Sequence, residues 1–576
     1  MAKKTTEVTK AKADIDFEKE LWNVANELRG AVAENQYKDY VLSLIFLKHM
    51  SERYETRRDE LIHLVSEPKS EYYTTNKKVA AETVNDIDEY LSKNTYIIPK
   101  EATWQYLQNN AEQDDIKVKV DDAFELLENT ISVFRPELKG ILPRIFVKSQ
   151  LSAKQLGGLI NLFSNPKFSE KNNPESDVLG RIYEYYIGRF AIAEGSGAGQ
   201  FFTPGCIVRL LVEMLEPLKG KIADLACGSG GMFVQSLKFI NAHGGTRKDI
   251  AIYGQERYDG TLRLAKMNLA LRDLNFQLEL GDSLLQDKLP ELKADYIIMN
   301  PPFNVSQWHP EDLPENDPRL FKLKESNDPV VTDGNANYMW FQTVWSHLSD
   351  NGTAGIVMAN GAMTSNNKGE RNVREHMLNE SMIDCIVRLP DKLFLTTGIP
   401  ACLFFLSKTR KGNKQHRERK NEVLFIDASK LGEMTSRKLR VLTDAEMERI
   451  ANTYHAWRNI PPASNNSSLK GGVRRTEGVE DTNTKGAKHL PTSGHPPLGG
   501  NGYQDIQAFC KSATLQDIIK QDYKLTPGIY VGSEDAEIDL IPFEEKMNLL
   551  KATLKQQFAK SNELQKRIEK NLSTLI

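Results

Sequence analysis

Ile222-Ala223-Asp224-Leu225-Ala226-Cys227-Gly228-Ser229-Gly230-Gly231-Met232-Phe233 reads as a short buried strand, a glycine-rich turn and the start of a helix. Glycines in such a turn let a ligand approach the backbone closely. A dinucleotide fingerprint would place a third glycine where Phe233 stands, and no Gly-Lys-Ser/Thr follows for a phosphate loop, so nucleotide phosphates do not suit this turn. The helix N-terminus near Gly231 instead favours a carboxylate, such as that of an amino-acid-like ligand. A second apolar strand, Ile250 to Gln255, ends in Glu256; a third, Phe276 to Gly281, ends in Asp282-Ser283; a fourth, Ala294 to Met299, ends at Asn300. Further strands read at Thr353 to Ala359, Met382 to Leu389 and Cys402 to Leu406. Seven strands alternating with helices predict an α/β fold, a doubly wound, mostly parallel, Rossmann-like sheet. Polar residues at successive strand ends then share one crevice along the carboxyl edge, where ligands bind in such sheets.

The fourth strand runs into Asn300-Pro301-Pro302-Phe303. Proline lacks an N–H and fixes φ, so the ladder stops there and the chain turns outward. A double proline after a strand can be only a rigid turn, but this one also presents acceptors beside an aromatic face. An amino group on a nucleobase is conjugated and poorly nucleophilic. The Asn300 side-chain oxygen and the Pro301 carbonyl, aimed at its hydrogens, would draw its lone pair out of the ring plane, with Phe303 offering a stacking surface. None of the five cysteines, Cys206, Cys227, Cys385, Cys402 and Cys510, follows a proline, so the thiolate nucleophile needed for attack at cytosine carbon-5 is missing. They show no Cys-x-x-Cys spacing either, which speaks against a zinc site or disulfide framework and for a reducing compartment.

From Gly199 to Phe303 the chain resembles the S-adenosylmethionine-dependent DNA adenine-N6 methyltransferases. Gly199-Gln200-Phe201-Phe202-Thr203-Pro204 is similar to that family's first cofactor-binding element, and the resemblance extends its contacts to Gly205. It implies that Asp224 and the turn from Ala226 through Gly228, Ser229, Gly230 and Gly231 hold the methionine moiety, Glu256 the ribose, and Asp282 with Ser283 the adenine. Asn300, Pro301, Pro302 and Phe303 are the implied catalytic residues, and Asn at the first position favours adenine N6 over cytosine N4. Leu389 to Phe394 followed by Thr397-Gly398-Ile399-Pro400 resembles the element that supplies a second aromatic wall for the base, with Phe394 as that wall or as a core residue.

The two ends narrow the resemblance to the modification subunit of Type I restriction-modification systems. Leu21-Trp22, Leu28-Arg29-Gly30, Tyr37-Lys38 and Leu42 to Lys48 are similar to its helical N-terminal domain; Leu179 to Glu184 precedes the cofactor element, and Gly334-Asn335-Ala336-Asn337-Tyr338 follows the catalytic loop. Such a subunit implies double-stranded DNA as substrate, a specificity subunit that chooses the target, a restriction subunit, and two copies of this chain per specificity subunit. Other readings are methylation of protein glutamine or RNA, which similar sites serve, or a cofactor-binding subunit without catalysis of its own. No phosphate loop for translocation and no nuclease cluster is evident.

The expected organisation is a polar tail at 1–13, a helical domain at 14–165, the catalytic domain at 166–460, a flexible Pro/Gly/Ser/Asn/Thr-rich insertion at 461–502 and a C-terminal segment at 503–576. Phe17, Leu21, Val24 and Leu28 form an amphipathic stripe in the second of these. The proline-containing stretch Asn304 to Asp333 reads as a loop whose Trp308, His309, Arg319, Lys322 and Lys324 are candidates for touching a DNA backbone, with a merely solvated loop as the alternative. Met547, Leu550, Leu554, Phe558, Leu564, Ile568 and Leu572 recur at mostly helical steps, predicting an amphipathic arm that packs on a partner's helices. A net charge of -3 does not resemble that of a protein gripping DNA by itself over a broad basic face, and leaves room for a local basic stripe. With no secretory signal and no apolar run near bilayer length, the expected location is the cytoplasm.

Overall fold

Consecutive residues of the central strands belong to opposite faces of one sheet. Ile297, Ile356, Phe404 and Phe425 pack into one core, whereas Ile298, Val357, Phe405 and Ile426, each one residue later, pack into the other. Near-continuous apolar runs are what a sheet covered on both faces requires, because strand side chains alternate. The structure is a computed structural model of the chain. It describes residues 37–169, 178–194, 203–314, 316–322, 328–332, 334–394, 400–437, 439–459, 502–533 and 543–572. The expected tail at 1–13, the Phe17 to Leu28 stripe, residues 461–501 and Lys324 lie outside these.

The strands are β1 (Gly220–Asp224), β2 (Ile250–Glu256), β3 (Phe276–Leu280), β4 (Ala294–Met299), β5 (Leu348–Ala359), β6 (Ile383–Arg388), β7 (Ala401–Ser407), β8 (Glu422–Asp427) and β11 (Cys510–Thr514), with β9 (Glu433–Met434) and β10 (Arg440–Val441) forming a separate hairpin. Their order is β11-β8-β6-β7-β5-β4-β1-β2-β3. β7 runs antiparallel between β5 and β6, and β11 antiparallel to β8; the other pairings are parallel. The doubly wound, mostly parallel sheet expected from the sequence is therefore present, but with nine strands rather than seven. β8 is a short apolar run between charged segments, and β11 is half polar because an edge strand has a neighbour on one side only. β11 also carries the sheet beyond the boundary expected at 460. Leu515–Lys520 and Pro527–Val531 pack there too, so residues 503–533 extend the catalytic fold.

The helical core before the sheet is built around Tyr37–Ser66, which is buried on every side from Tyr40 to Glu52. The Lys48 ammonium survives there by pairing with Glu52 one turn on. This core does not end at 165. Val178–Glu194 packs into it through Leu179, Ile182, Tyr183 and Tyr186, as do Leu264, Met267 and Ala270 of Asp259–Ala270. The latter helix turns Leu262, Ala265 and Leu269 to the sheet, so its two apolar faces bind both cores together. Among the described residues no helix is long and apolar enough to cross a membrane.

Candidate active site

β1 is flanked by β2 on one side and β4 on the other, and chain connections leave it in opposite directions; a crevice must open at such a switch point. A cleft lined by Thr203, Asp224, Gly228 and Asn300 lies there. Its floor is the turn after β1. Gly228 and Gly230 take φ of 54° and 81°, a left-handed conformation that side chains resist. A Cβ on Gly228 or Gly231 would meet nothing within 4 Å, so bare backbone faces open space. The turn is tied down by the Cys227 N–H donating to the Gln255 carbonyl at 3.1 Å and the Gly228 N–H donating to Glu256 Oε2 at 3.0 Å.

Asp224 ends β1 with its carboxylate in the cleft, where Oδ1 accepts from the Ala226 N–H at 3.0 Å. Burial pushes this carboxyl up to about 8, the Ala226 hydrogen bond opposes the rise, and nearby Glu256 adds to it. Glu256 is itself raised by burial. Because burial disfavours its charge, this carboxyl is the group in the cleft that a cationic partner would stabilise most in ionised form. With the exposed glycine backbone at a helix start, it suits a ligand carrying both ammonium and carboxylate groups.

Across the cleft, Asn300 follows β4. Its Nδ2 donates one hydrogen to Thr203 Oγ1 at 2.9 Å, which fixes the amide's donor end toward Thr203. Its Oδ1 is buried and has no hydrogen-bond partner. Such an orphaned acceptor costs about 1 to 3 kcal/mol unless a donor is supplied from outside the chain. Thr203-Pro204-Gly205, where the helix Gly205–Leu215 starts, therefore meets the Asn300 turn directly.

Of the residues singled out from the sequence, Thr203, Gly205, Asp224, Ala226, Gly228, Ser229, Gly231 and Asn300 line this one cleft. Gln200, Phe201 and Phe202 lie outside the described residues. Glu256 spends both carboxylate oxygens on backbone, Oε1 on the Tyr258 N–H and Oε2 on Gly228. Asp282 pairs with Arg257 at 3.3 Å and accepts from the Leu284 N–H. The Ser283 hydroxyl donates to the Leu225 carbonyl at 2.6 Å. These three brace the crevice wall in this state.

Phe303 and Phe394 are both buried in one core and meet edge-on, 6.2 Å between centroids at 79°, which agrees with the core alternative for Phe394 in this state. A planar base between two faces needs about 7 Å, twice a carbon contact distance, with the rings parallel. In the long loop, Trp308 is buried with its N–H donating to the Thr332 carbonyl, and Arg319 is buried against Asp317 while donating to the Ser283 and Leu284 carbonyls. Neither reaches a DNA backbone; His309 and Lys322 remain exposed.

The sequence did not reveal how the cleft is closed. Glu184 and Ile187, from the helix Val178–Glu194, line it, as does Asn268. Arg272 donates to Glu184 Oε1 at 2.8 Å, to the Gly180 carbonyl at 3.0 Å and to Asn268 Oδ1 at 2.5 Å. Asn268 in turn donates to the Ser229 carbonyl at 2.8 Å, so the helical core is bonded to the glycine turn. The four-residue spacing of Asn268 and Arg272 was the only local signal.

Residues 174–539 match the family model for N-6 DNA methylase, and residues 17–163 match that for the HsdM N-terminal domain. The chain is similar to the methylase subunit of the Type I restriction enzyme HindI of Haemophilus influenzae, 39% identical over 499 residues that span 83% of this chain and 99% of the relative. It is similar also to the MjaIX methylase subunit of Methanocaldococcus jannaschii, 35% identical over 560 residues, 97% of this chain and 91% of the relative. Its fold resembles the crystal structure of a type I restriction-modification methyltransferase subunit from Streptococcus thermophilus, with a TM-score of 0.64 at 21% identity, covering 90% of this chain and 99% of that one.

Proposed function

The chain belongs to the N-6 DNA methylase family, as an adenine-specific DNA methyltransferase and methylase subunit of a Type I restriction-modification system, and on that basis we propose how its site works. The site takes S-adenosylmethionine and an adenine turned out of duplex DNA, whose amino group is unreachable within the stack. Bound S-adenosylmethionine supplies an activated methyl group.

Asp224 and the backbone of Gly228 to Gly231 hold the cofactor's amino-acid end. Gln200, Phe201, Phe202, Thr203, Pro204 and Gly205 wall the same end, and Glu256, Asp282 and Ser283 serve its ribose and adenine. Asn300 Oδ1 and the Pro301 carbonyl accept the two amino hydrogens of the target. With its lone pair drawn out of conjugation by these two acceptors, the amino nitrogen would be oriented to take the methyl group that bound S-adenosylmethionine would supply, and would give up its surplus proton to solvent. Since Phe303 and Phe394 now touch, their contact must open for the base to stack. The observation that carries this reading is the buried, unpartnered Asn300 Oδ1 in the same cleft as Asp224 and the open backbone of Gly228 and Gly231.

Target choice falls to a specificity subunit, with a restriction subunit completing the complex and two copies of this chain per specificity subunit, in the cytoplasm. The helix Phe543–Leu572 supports such docking, for Leu554, Phe558 and Leu564 are exposed along it. The test is labelled-methyl transfer to duplex DNA, RNA and protein, with and without the co-purified specificity partner. Asn300→Ala is expected to abolish transfer to DNA while cofactor affinity stays within a few fold. Near wild-type transfer by that variant, or transfer to RNA or protein alone, would sink the proposal.

A further inference from the structure

The segment Gly334-Asn335-Ala336-Asn337-Tyr338 follows the long loop after the catalytic turn, and the chemistry above gives it no task. Two of its residues, Ala336 and Asn337, bond back to that turn. Asn304, immediately after Phe303, sits at φ 53°, a left-handed conformation that costs an ordinary residue about 1 to 2 kcal/mol and that asparagine tolerates. The Asn304 N–H donates to Asn337 Oδ1 at 2.9 Å, and Asn337 Nδ2 donates to Asn304 Oδ1 at 2.8 Å, a reciprocal two-point clamp. One residue on, the Ala336 N–H donates to the Val305 carbonyl at 3.0 Å.

The clamp is rooted in the body of the molecule. Asn337 is buried, and its N–H donates to Asn335 Oδ1 at 2.9 Å. Asn335 Nδ2 donates to Glu370 Oε1 at 2.5 Å, and Glu370 is buried in the first turn of Lys368–Asn379. At the other end, two prolines separate Asn300 from Phe303. Each locks its φ, so few soft torsions lie between Asn300 and Asn304. Holding Asn304 therefore sets the direction in which Asn300 points.

We propose that Asn337 is a positioning residue for methyl transfer, which through its two-point clamp on Asn304 holds the Asn300 acceptor on the target amine. This rests on reading Asn300 to Phe303 as the catalytic turn. A displacement of about 1 Å at a reacting group can lower a rate about a hundredfold, so the clamp acts on turnover rather than on binding. Asn304 is exposed and can turn its polar groups to water when released, so stability should hardly change.

The test is steady-state methylation by the full chain with its specificity partner, alongside cofactor affinity by calorimetry and the thermal midpoint. Asn337→Ala is expected to lower kcat by about ten- to a hundredfold, with cofactor Kd, KM for DNA and midpoint close to wild type. Asn337→Asp keeps an acceptor for the Asn304 N–H and should recover most of the lost kcat. Asn304→Gly accepts the positive φ but loses the return bond, so it should lower kcat several fold; it carries the test if Asn337→Ala does not fold. Wild-type kcat in Asn337→Ala or Asn304→Gly, equal losses in kcat and cofactor affinity, or no recovery with Asp would overturn the clamp. Asn300→Ala separates the two proposals: if it still methylates, the reading of the turn fails, and if it is inactive while Asn337→Ala is not, the clamp alone fails.

Discussion

Asp224 shows how one side chain can be readable in a sequence while its state is not. Its place between a strand and a glycine-rich turn marks it as a candidate ligand contact, but its carboxyl rises to about 8 because folding buries it. Below its ordinary value near 3.8 both folded and unfolded chains hold the proton. Between there and about 8 the unfolded chain has released it and the folded chain has not, so this residue makes ligand-free stability fall as pH rises through that window and level off above it. Asp224→Asn should flatten the slope, as urea midpoints across the window would show. A cationic ligand favours the carboxylate, so cofactor affinity is expected to increase from about pH 6 to about pH 9 with net proton release. Titration calorimetry in buffers of different ionisation enthalpy measures both. Asn300 and Thr203 were likewise legible as types. Trp308 and Arg319 misled, because polarity along a loop does not say which of its side chains turn inward.

At the scale of elements, helices and central strands were legible where burial imposes a period. The sheet's far edge was not, since β11 has one neighbour and little apolar content. Adjacent glycines in the helix Ala153–Phe163 make the same distinction testable. A Cβ on Gly157 would lie 2.0 Å from the Ala111 carbonyl oxygen, whereas one on Gly158 meets nothing within 4 Å. Helix propensity alone says that either Gly→Ala change gains about 0.5 to 1 kcal/mol. Packing says that only Gly158→Ala gains it, and that Gly157→Ala loses about 3 kcal/mol or more by overpacking against backbone. Denaturant unfolding of the two variants decides; equal shifts would refute the close approach.

At the scale of the whole molecule, the helical core and the methyltransferase sheet share the cleft beside β1 through Glu184, Arg272, Asn268 and the Ser229 carbonyl. Arg272→Met removes the central member while keeping much of its bulk. It should cost about 2 to 3 kcal/mol of stability, the scale of hydrogen bonds to charged groups, and weaken cofactor binding about tenfold as the glycine turn loosens, a loss of about 1.4 kcal/mol. Denaturant melts and calorimetry read the two effects separately, and unchanged cofactor affinity would show that the network is only structural. The order of residues was enough for the α/β class, the glycine turn after β1 and the family, because strand and turn are neighbours in the chain and their chemistry is local. Which helix closes the cleft, that Phe303 touches Phe394, and that Asn337 holds Asn304 depended on the packed molecule. Those partners lie far apart in sequence, and only burial of the intervening cores brings their polar groups within hydrogen-bond reach.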